Sequence, residues 1–180
     1  MALSSTIYSF DVDLADADRG VYETLALRLA LHPSETAEHL LTRLLAYCLE
    51  YEEGIAFSKG GVSEGDEPAV SIKDPTGRFR AWIEAGIPDA ARLHRAAKAA
   101  GRVAVYTPED PTRALRRLAG ETIHRAAEIP FYALDPVLIA ALAAQLERRQ
   151  ALSLSVSGRH LYLTVGGRSL DGAVVEHRLG

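Results

Sequence analysis

Two runs near the amino terminus carry large apolar side chains at every second position, and this pattern constrains the fold more than any other feature. The runs cover 8–14 and 25–31. A period of two is typical of strands that bury one face. The segment between them, 15–20, is rich in Asp and ends in Gly20, which favours a turn. The pattern therefore predicts a long β-hairpin over about 6–31.

A helix follows the hairpin and is predicted by a different period. Apolar side chains recur after His32 at spacings of three and four residues, the pattern of an amphipathic helix that ends near Tyr51. Because Cys48 belongs to this stripe, we expect it to be a buried core residue rather than a nucleophile. The stripe consists of Ala37, Leu40, Leu41, Leu44, Leu45 and Cys48.

Strand and helix patterns alternate along the rest of the chain. A length of 180 residues is enough for one sizeable core and short for two domains. We therefore predict a single α/β domain with a mixed sheet over 1–180. We expect strands at 55–59, 68–73, 79–84, 103–107 and within 169–177, helices at 88–100, 112–125 and 136–149, an acidic loop at 62–67, an extended piece at 129–134 and a hairpin within 152–165.

Charge is distributed unevenly. The net charge of −4 argues against a protein that coats nucleic acid by bulk electrostatics. Residues 1–67 carry 13 acidic and 4 basic side chains, whereas residues 68–180 carry 11 acidic and 16 basic ones. Within 78–102 six basic side chains stand against two acidic ones. The pattern allows either a basic binding surface or a solvated helix face.

Cysteine and histidine usage excludes several classes of protein. With one cysteine the chain forms no internal disulfide, and the six histidines lack the spacing of a zinc site. The amino terminus lacks the basic and apolar regions of a signal peptide, and no apolar run is long enough to span a bilayer. We expect a soluble cytoplasmic protein without membrane contact or organic cofactor.

Several short segments, followed by Pro88, resemble the signature segments of YaeQ proteins, in the same order and over nearly the whole chain. The resemblance implies a variant of the PD-(D/E)XK nuclease fold, with an αβββαβ core over about 33–107. The hairpin at 6–31 and the elements at 109–178 are then additions. The segments are His32-Pro33-Ser34-Glu35, Phe57-Ser58-Lys59-Gly60, Glu67-Pro68-Ala69, Trp82-Ile83-Glu84-Ala85-Gly86 and Val103-Ala104-Val105-Tyr106.

An acidic pair is the predicted centre of this fold. If 68–73 pairs with 79–84 across a two-residue turn at Pro75-Thr76, Glu67 faces Glu84 with Cβ atoms about 5 Å apart. Two carboxylates so close favour a cation between them, so we predict a Mg²⁺ site with both as ligands. The same register predicts one apolar face and one polar face for this hairpin.

Further residues complete the predicted catalytic site. Glu38 lies at the edge of the buried stripe of the first helix and is favoured as a third carboxylate, whereas Glu35 is expected to point toward solvent. Nuclease relatives of this fold carry a lysine two residues after the strand acid, where this chain has Gly86. Lys59 is the expected replacement, with Arg92 and Lys98 of the second predicted helix as alternative sources of positive charge.

Two functions follow from this site and stay open. The first is Mg²⁺-dependent hydrolysis of a phosphodiester in nucleic acid, and the second is binding of nucleic acid or a protein partner without cleavage. A structural subunit that pairs through exposed strand edges is a third interpretation. The residues expected to contact nucleic acid are Arg80, Trp82, Arg92 and Arg95.

Overall fold

The computed structural model describes residues 4–59 and 67–179. In these residues ten strands and four α-helices follow one another, with a short 3-10 helix at Ala126–Glu128. The strands are β1 (Thr6–Asp16), β2 (Val21–Leu31), β3 (Ile55–Phe57), β4 (Val70–Lys73), β5 (Phe79–Ala85), β6 (Ala100–Thr107), β7 (Pro130–Leu134), β8 (Arg149–Ser157), β9 (His160–Val165) and β10 (Arg168–Arg178). The helices are α1 (Ala37–Leu49), α2 (Ala90–Ala99), α3 (Thr112–Leu118) and α4 (Pro136–Ala144).

All the strands belong to one mixed sheet, in the order β2-β1-β8-β9-β10-β7-β6-β5-β4-β3. The predicted amino-terminal hairpin is confirmed as β1 and β2. It joins the sheet through parallel pairing of β1 with β8. At the centre, β5, β6 and β7 run parallel to one another. Their carboxyl ends therefore meet at the same edge of the sheet.

The main core lies between the curved sheet and the helices α1 and α4. Leu27 of β2 and Ile55 of β3 come from opposite edges of the sheet yet belong to the same apolar cluster, so the sheet curls around α1. The predicted stripe of α1 is buried here from Leu40 to Cys48, whereas Ala37 is half-buried. Cys48 is 1% exposed, and burial raises the pKa of its thiol to about 12, which confirms a core residue rather than a nucleophile.

A second apolar cluster covers the other face of β5 and β6. Trp82 on β5 packs there with Leu93 of α2, Leu118 of α3 and Phe131 of β7. Trp82 is 4% exposed. The prediction that the hairpin of β4 and β5 has one apolar and one polar face is therefore wrong. The helices α2 and α3 form a layer over the face that we expected to be polar.

The predicted antiparallel pairing of β4 with β5 is confirmed, but its predicted register is wrong. Val70 pairs with Ile83 and Ser71 with Trp82, which is two residues away from the predicted register. An irregularity between Ile72 and Lys73 accommodates the difference near the turn. Because a shift of two residues keeps every side chain on its face, Val70 and Ile83 remain on the same face, but Glu67 no longer stands opposite Glu84.

Several helices are shorter than predicted. Thr36 caps α1 by accepting a hydrogen bond from the His39 N–H, so the helix begins after Glu35. The helix α3 ends at Leu118, and Arg125, expected to be helical, has a φ of 51°. Its guanidinium binds the carbonyls of Ala97 and Ala100 at the end of α2. The acidic loop predicted at 62–67 lies outside the described residues, except for Glu67.

None of the helices in the described part of the chain is long and apolar enough to cross a membrane.

Candidate ligand-binding crevice and the predicted acidic site

Glu84 lies inside the protein and already has two partners. Its side chain is 3% exposed, and its Oε1 atom accepts hydrogen bonds from Trp82 Nε1 at 2.6 Å and from Arg92 Nε at 2.7 Å. The Nη2 atom of Arg92 donates to the main-chain oxygen of Glu67 at 2.7 Å. One guanidinium thus joins the two segments that were predicted to share a metal ion.

This arrangement does not fit Mg²⁺ at the predicted pair. The Arg92 guanidinium stands against the Glu84 carboxylate where the cation was expected, and it supplies the positive charge that a buried carboxylate needs. Among residues 4–59 and 67–179, no group of three or more His, Cys, Asp or Glu side chains is arranged to hold a metal ion. We therefore derive no step through a metal at Glu67 and Glu84.

The remaining predicted catalytic residues are dispersed. Lys59 and Glu67 line a cavity of about 170 Å³ beside the edge strand β3, together with Ser58 and Lys73. Neither Glu84 nor Glu38 lines it. Glu38 is exposed and lies instead at a larger crevice, at the first turn of α1.

The predicted nucleic-acid contacts are only partly accessible. Trp82 is buried, so its ring has no free face for a base. Arg80 is exposed and paired with Glu52 at 2.8 Å, whereas Arg92 is 16% exposed and holds Glu84. Arg95 is exposed on α2. Of the four residues, Arg80 and Arg95 face solvent.

The larger crevice has a volume of about 630 Å³ and lies at the carboxyl ends of β5 and β6. This edge of a sheet with parallel strands is where open α/β proteins commonly bind ligands. The first turn of α1 forms one wall and α3 forms another. The side chains that give the crevice its chemistry are Glu38, His39, Thr107, Glu109, Asp110, Arg113 and Arg117, and Gly86 also lines it.

His39 is held rigidly at this crevice. Its Nδ1 atom lies 2.5 Å from Glu35 Oε2, and its Nε2 atom lies 3.1 Å from the main-chain oxygen of Ala85. Both partners are acceptors, so an imidazolium that carries both protons satisfies both contacts. The side chain is 29% exposed, which leaves part of the ring facing the crevice.

Glu35 anchors His39 from inside the protein, and the prediction that Glu35 points to solvent is wrong. Its side chain is 1% exposed and receives two hydrogen bonds from the fully buried Arg43, at 2.8 and 2.9 Å. Burial by itself raises the pKa of the Glu35 carboxyl, but the hydrogen bond from His39 and the charge and hydrogen bonds of Arg43 outweigh it and hold this pKa below its ordinary value.

The chain matches the YaeQ protein family over residues 1–174. The chain belongs to the YaeQ family. It is 30% identical to the uncharacterized protein YaeQ of Escherichia coli K12 over 172 residues, which are 95% of this chain and 94% of that protein. The corresponding protein of Salmonella typhi is 41% identical over 106 residues, 59% of this chain and 58% of that protein.

Solved structures show the same architecture. The crystal structure of the YaeQ protein from Pseudomonas syringae has a TM-score of 0.84 at 32% identity and covers 96% of this chain and 95% of that one. The YaeQ structure from Xanthomonas axonopodis pv. citri has a TM-score of 0.82 at 25% identity and covers 98% and 100%. The resemblance seen in the sequence is confirmed, and the YaeQ fold is a mixed α and β domain built on a ten-stranded sheet.

Sequence reasoning missed the hydrogen-bonded group beside the crevice. Glu35, His39 and Arg43 are spaced by four residues, which is the spacing of side chains that meet along a helix. That spacing is the available signal. A regular helical wheel places Glu35 toward solvent, whereas the residue precedes the cap of α1 and its side chain turns back toward the core.

Proposed function

We propose that this protein binds nucleic acid through the phosphate backbone and does not hydrolyse it through Glu67 and Glu84. The observation that carries the proposal is the pairing of Glu84 with Arg92 and Trp82. A catalytic carboxylate must be free to bind a metal ion or a water molecule, and this one is sequestered by two donors.

The chain order α1, β3, β4, β5, α2, β6 supports a relation to the αβββαβ core of PD-(D/E)XK nucleases. Gly86 supports loss of their chemistry. Its φ of 82° is strained for any residue with an L side chain, so the backbone at the expected lysine position is shaped for glycine. The proposal therefore keeps the nuclease-like fold and drops the reaction.

The proposed binding surface is the outer layer formed by α2 and α3. Residues 90–125 carry eight basic and three acidic side chains on a protein with a net charge of −4. Such a local excess attracts phosphates although the whole molecule is acidic. We call the exposed cations of this layer the α2–α3 face, and they are Arg95, Lys98, Arg113, Arg116 and Arg117.

Fluorescence anisotropy with labelled single-stranded and double-stranded DNA and RNA, over a series of salt concentrations, tests this proposal. We expect binding that weakens steeply with salt and does not require Mg²⁺. The double variant Lys98→Ala with Arg116→Ala removes two phosphate contacts and lowers the slope of log K against log salt by roughly 1.4 to 1.8. The control is Arg28→Ala, an exposed residue on the edge strand β2.

Two outcomes contradict the proposal. Absence of binding to all four nucleic acids at low salt refutes the binding surface. Hydrolysis that requires Mg²⁺ or Mn²⁺ and disappears in Glu84→Gln refutes the sequestered carboxylate and restores the enzyme interpretation.

A further inference from the structure

We propose that the crevice at the carboxyl ends of β5 and β6 binds a phosphomonoester, either the phosphate of a free mononucleotide or the terminal phosphate of a nucleic-acid strand. The second form rests on the proposed nucleic-acid binding, whereas the first does not. The proposal stands on the cations, the acceptors and the size of the crevice.

The two arginines of the crevice come from successive turns of α3. Arg113 and Arg117 both line the crevice and both are exposed. Neither has an ion-pair partner among residues 4–59 and 67–179. Like charges four residues apart destabilise a helix, so an anion between them relieves a repulsion that the protein leaves in place. Paired guanidinium groups also match the geometry of a phosphate.

His39 lies on the opposite wall, with both ring nitrogens against acceptors, Glu35 Oε2 and the main-chain oxygen of Ala85. The Glu35 carboxylate beneath it is paired with the buried Arg43, so the carboxylate that this wall presents to the crevice is that of Glu38. The two guanidinium groups on the facing wall suit a phosphate dianion better than a single carboxylate.

The rest of the crevice selects for more than a bare phosphate. The carboxylates of Glu38 and Glu109 line it and can only accept hydrogen bonds. A ligand that fills the site must therefore combine an anionic end with donors such as ribose hydroxyls or an exocyclic amine. Asp110 also lines the crevice, and its Oδ1 atom accepts hydrogen bonds from Thr112 N and Oγ1, which lower the pKa of this carboxyl and keep it a negative acceptor.

The size of the crevice agrees with this class of ligand. A volume of about 630 Å³ lies within the range of roughly 300–1,000 Å³ typical of small-molecule sites and accommodates a sugar and a base beside the phosphate. Gly86 lines the crevice without a side chain. The carboxyl ends of parallel strands are also the usual position for nucleotides in open α/β sheets.

The first experiment measures binding of adenosine 5′-monophosphate, adenosine and inorganic phosphate to the full chain by isothermal titration calorimetry. We expect the monophosphate to bind and adenosine to show no binding. The double variant Arg113→Ala with Arg117→Ala weakens the monophosphate at least tenfold, since charged hydrogen bonds to phosphate are lost. The matched control is Arg116→Ala, because Arg116 is exposed on the same helix but does not line the crevice.

The second experiment compares one short oligonucleotide with a 5′-phosphate, a 3′-phosphate or hydroxyl groups at both ends. A preference of at least tenfold for one terminal phosphate, lost in the crevice variant and kept in Arg28→Ala on the distant edge strand β2, identifies the strand end as the ligand. Monophosphate binding without an end preference identifies the free mononucleotide.

The two proposals fail separately. If the monophosphate binds and no oligonucleotide does, the proposed nucleic-acid function is wrong and the phosphomonoester site stands. If the monophosphate does not bind and terminal phosphates make no difference, the crevice proposal is overturned, whatever the α2–α3 face binds. Equal weakening by Arg116→Ala and the crevice variant also overturns it, because the effect is then general electrostatics.

Discussion

Two regions of this protein handle charge in opposite ways. In the interior, Glu35 pairs with Arg43 and Glu84 pairs with Arg92 through hydrogen bonds of 2.7 to 2.9 Å. At the crevice, Arg113 and Arg117 stand in solvent without an ion-pair partner in the described residues. The first region pairs its charges within the chain, and the second leaves two guanidinium groups exposed, as the proposed phosphate site requires.

The difference teaches which acidic residues to regard as functional. A buried charge without a counter-charge costs several kcal/mol. A buried Glu beside an Arg is therefore explained first by the stability of the folded protein. An exposed cation costs little and stays available. Because Glu84 lies in a family motif, it was predicted to be a metal ligand. Its hydrogen bonds with Trp82 and Arg92 indicate instead that it stabilises the fold.

The strongest test of this comparison is Glu35→Gln. It leaves the fully buried Arg43 without its counter-charge, so we expect the free energy of unfolding in urea to fall by about 4 kcal/mol at pH 7. The control is Glu38→Gln. Glu38 lies three residues away and is exposed, so we expect this substitution to change the free energy of unfolding by at most about 0.5 kcal/mol.

The same variant makes a prediction about pH. The pKa of Glu35 is lower in the folded protein than its ordinary value of 4.5. The contribution of the Glu35 carboxylate to the free energy of unfolding is therefore complete above pH 4.5, and it is lost as the pH falls through the pKa in the folded protein. The difference in free energy of unfolding between the wild type and Glu35→Gln should become smaller below that pH. A difference that stays constant down to acid unfolding contradicts the ion pair.

Glu84→Gln should have the next largest effect. Because Arg92 is 16% exposed, we expect a loss of about 3 kcal/mol in the free energy of unfolding, at the lower end for a buried pair. A metal site predicts the reverse, since removing one of two repelling carboxylates stabilises the metal-free protein. Glu52→Gln, whose partner Arg80 is exposed, is the control and should cost at most about 0.5 kcal/mol.

Gly86→Lys introduces a lysine at the position where the proposed relation to PD-(D/E)XK nucleases would place one, and it tests whether the fold tolerates this residue. With a φ of 82° we expect a loss of about 1 kcal/mol and no metal-dependent hydrolysis. The control is Gly120→Lys, where φ is not positive and the nearest atom to an added Cβ is 3.9 Å away. Hydrolysis gained by Gly86→Lys contradicts a site closed by Arg92.

The smallest effect on stability is expected at the crevice. Arg113→Ala with Arg117→Ala removes a repulsion between like charges, so the free energy of unfolding should stay the same or rise by about 0.3 kcal/mol. Thermal denaturation measures it. A clear loss of stability shows that these arginines serve the fold, and the contrast between the two regions then disappears.

Much of the fold followed from local pattern. The alternation at 8–14 and 25–31 predicted β1 and β2, and the stripe ending at Cys48 predicted α1 and its buried face. The family followed from short segments in order. These features depend on residues that are close in sequence, where the period of a strand or a helix decides which side chains share a face.

The candidate site was harder to predict because it depends on contacts between distant segments. The register of β4 and β5 differs from the predicted register by two residues. A shift of two leaves the apolar side chains of both strands on the same face, so the apolar pattern does not distinguish the two registers. Whether Glu84 met a metal ion or a guanidinium depended on where α2 placed Arg92.

The sequence by itself determined the hairpin, the first helix, the family and the separation of an acidic amino-terminal part from a basic remainder. Only the tertiary structure decided that Glu84 pairs with a guanidinium group, that Trp82 is buried and that Arg113 and Arg117 line a crevice with His39. The reason is physical. Periodicity and composition are local quantities, whereas the partner of a charge is chosen by packing between segments far apart in the chain.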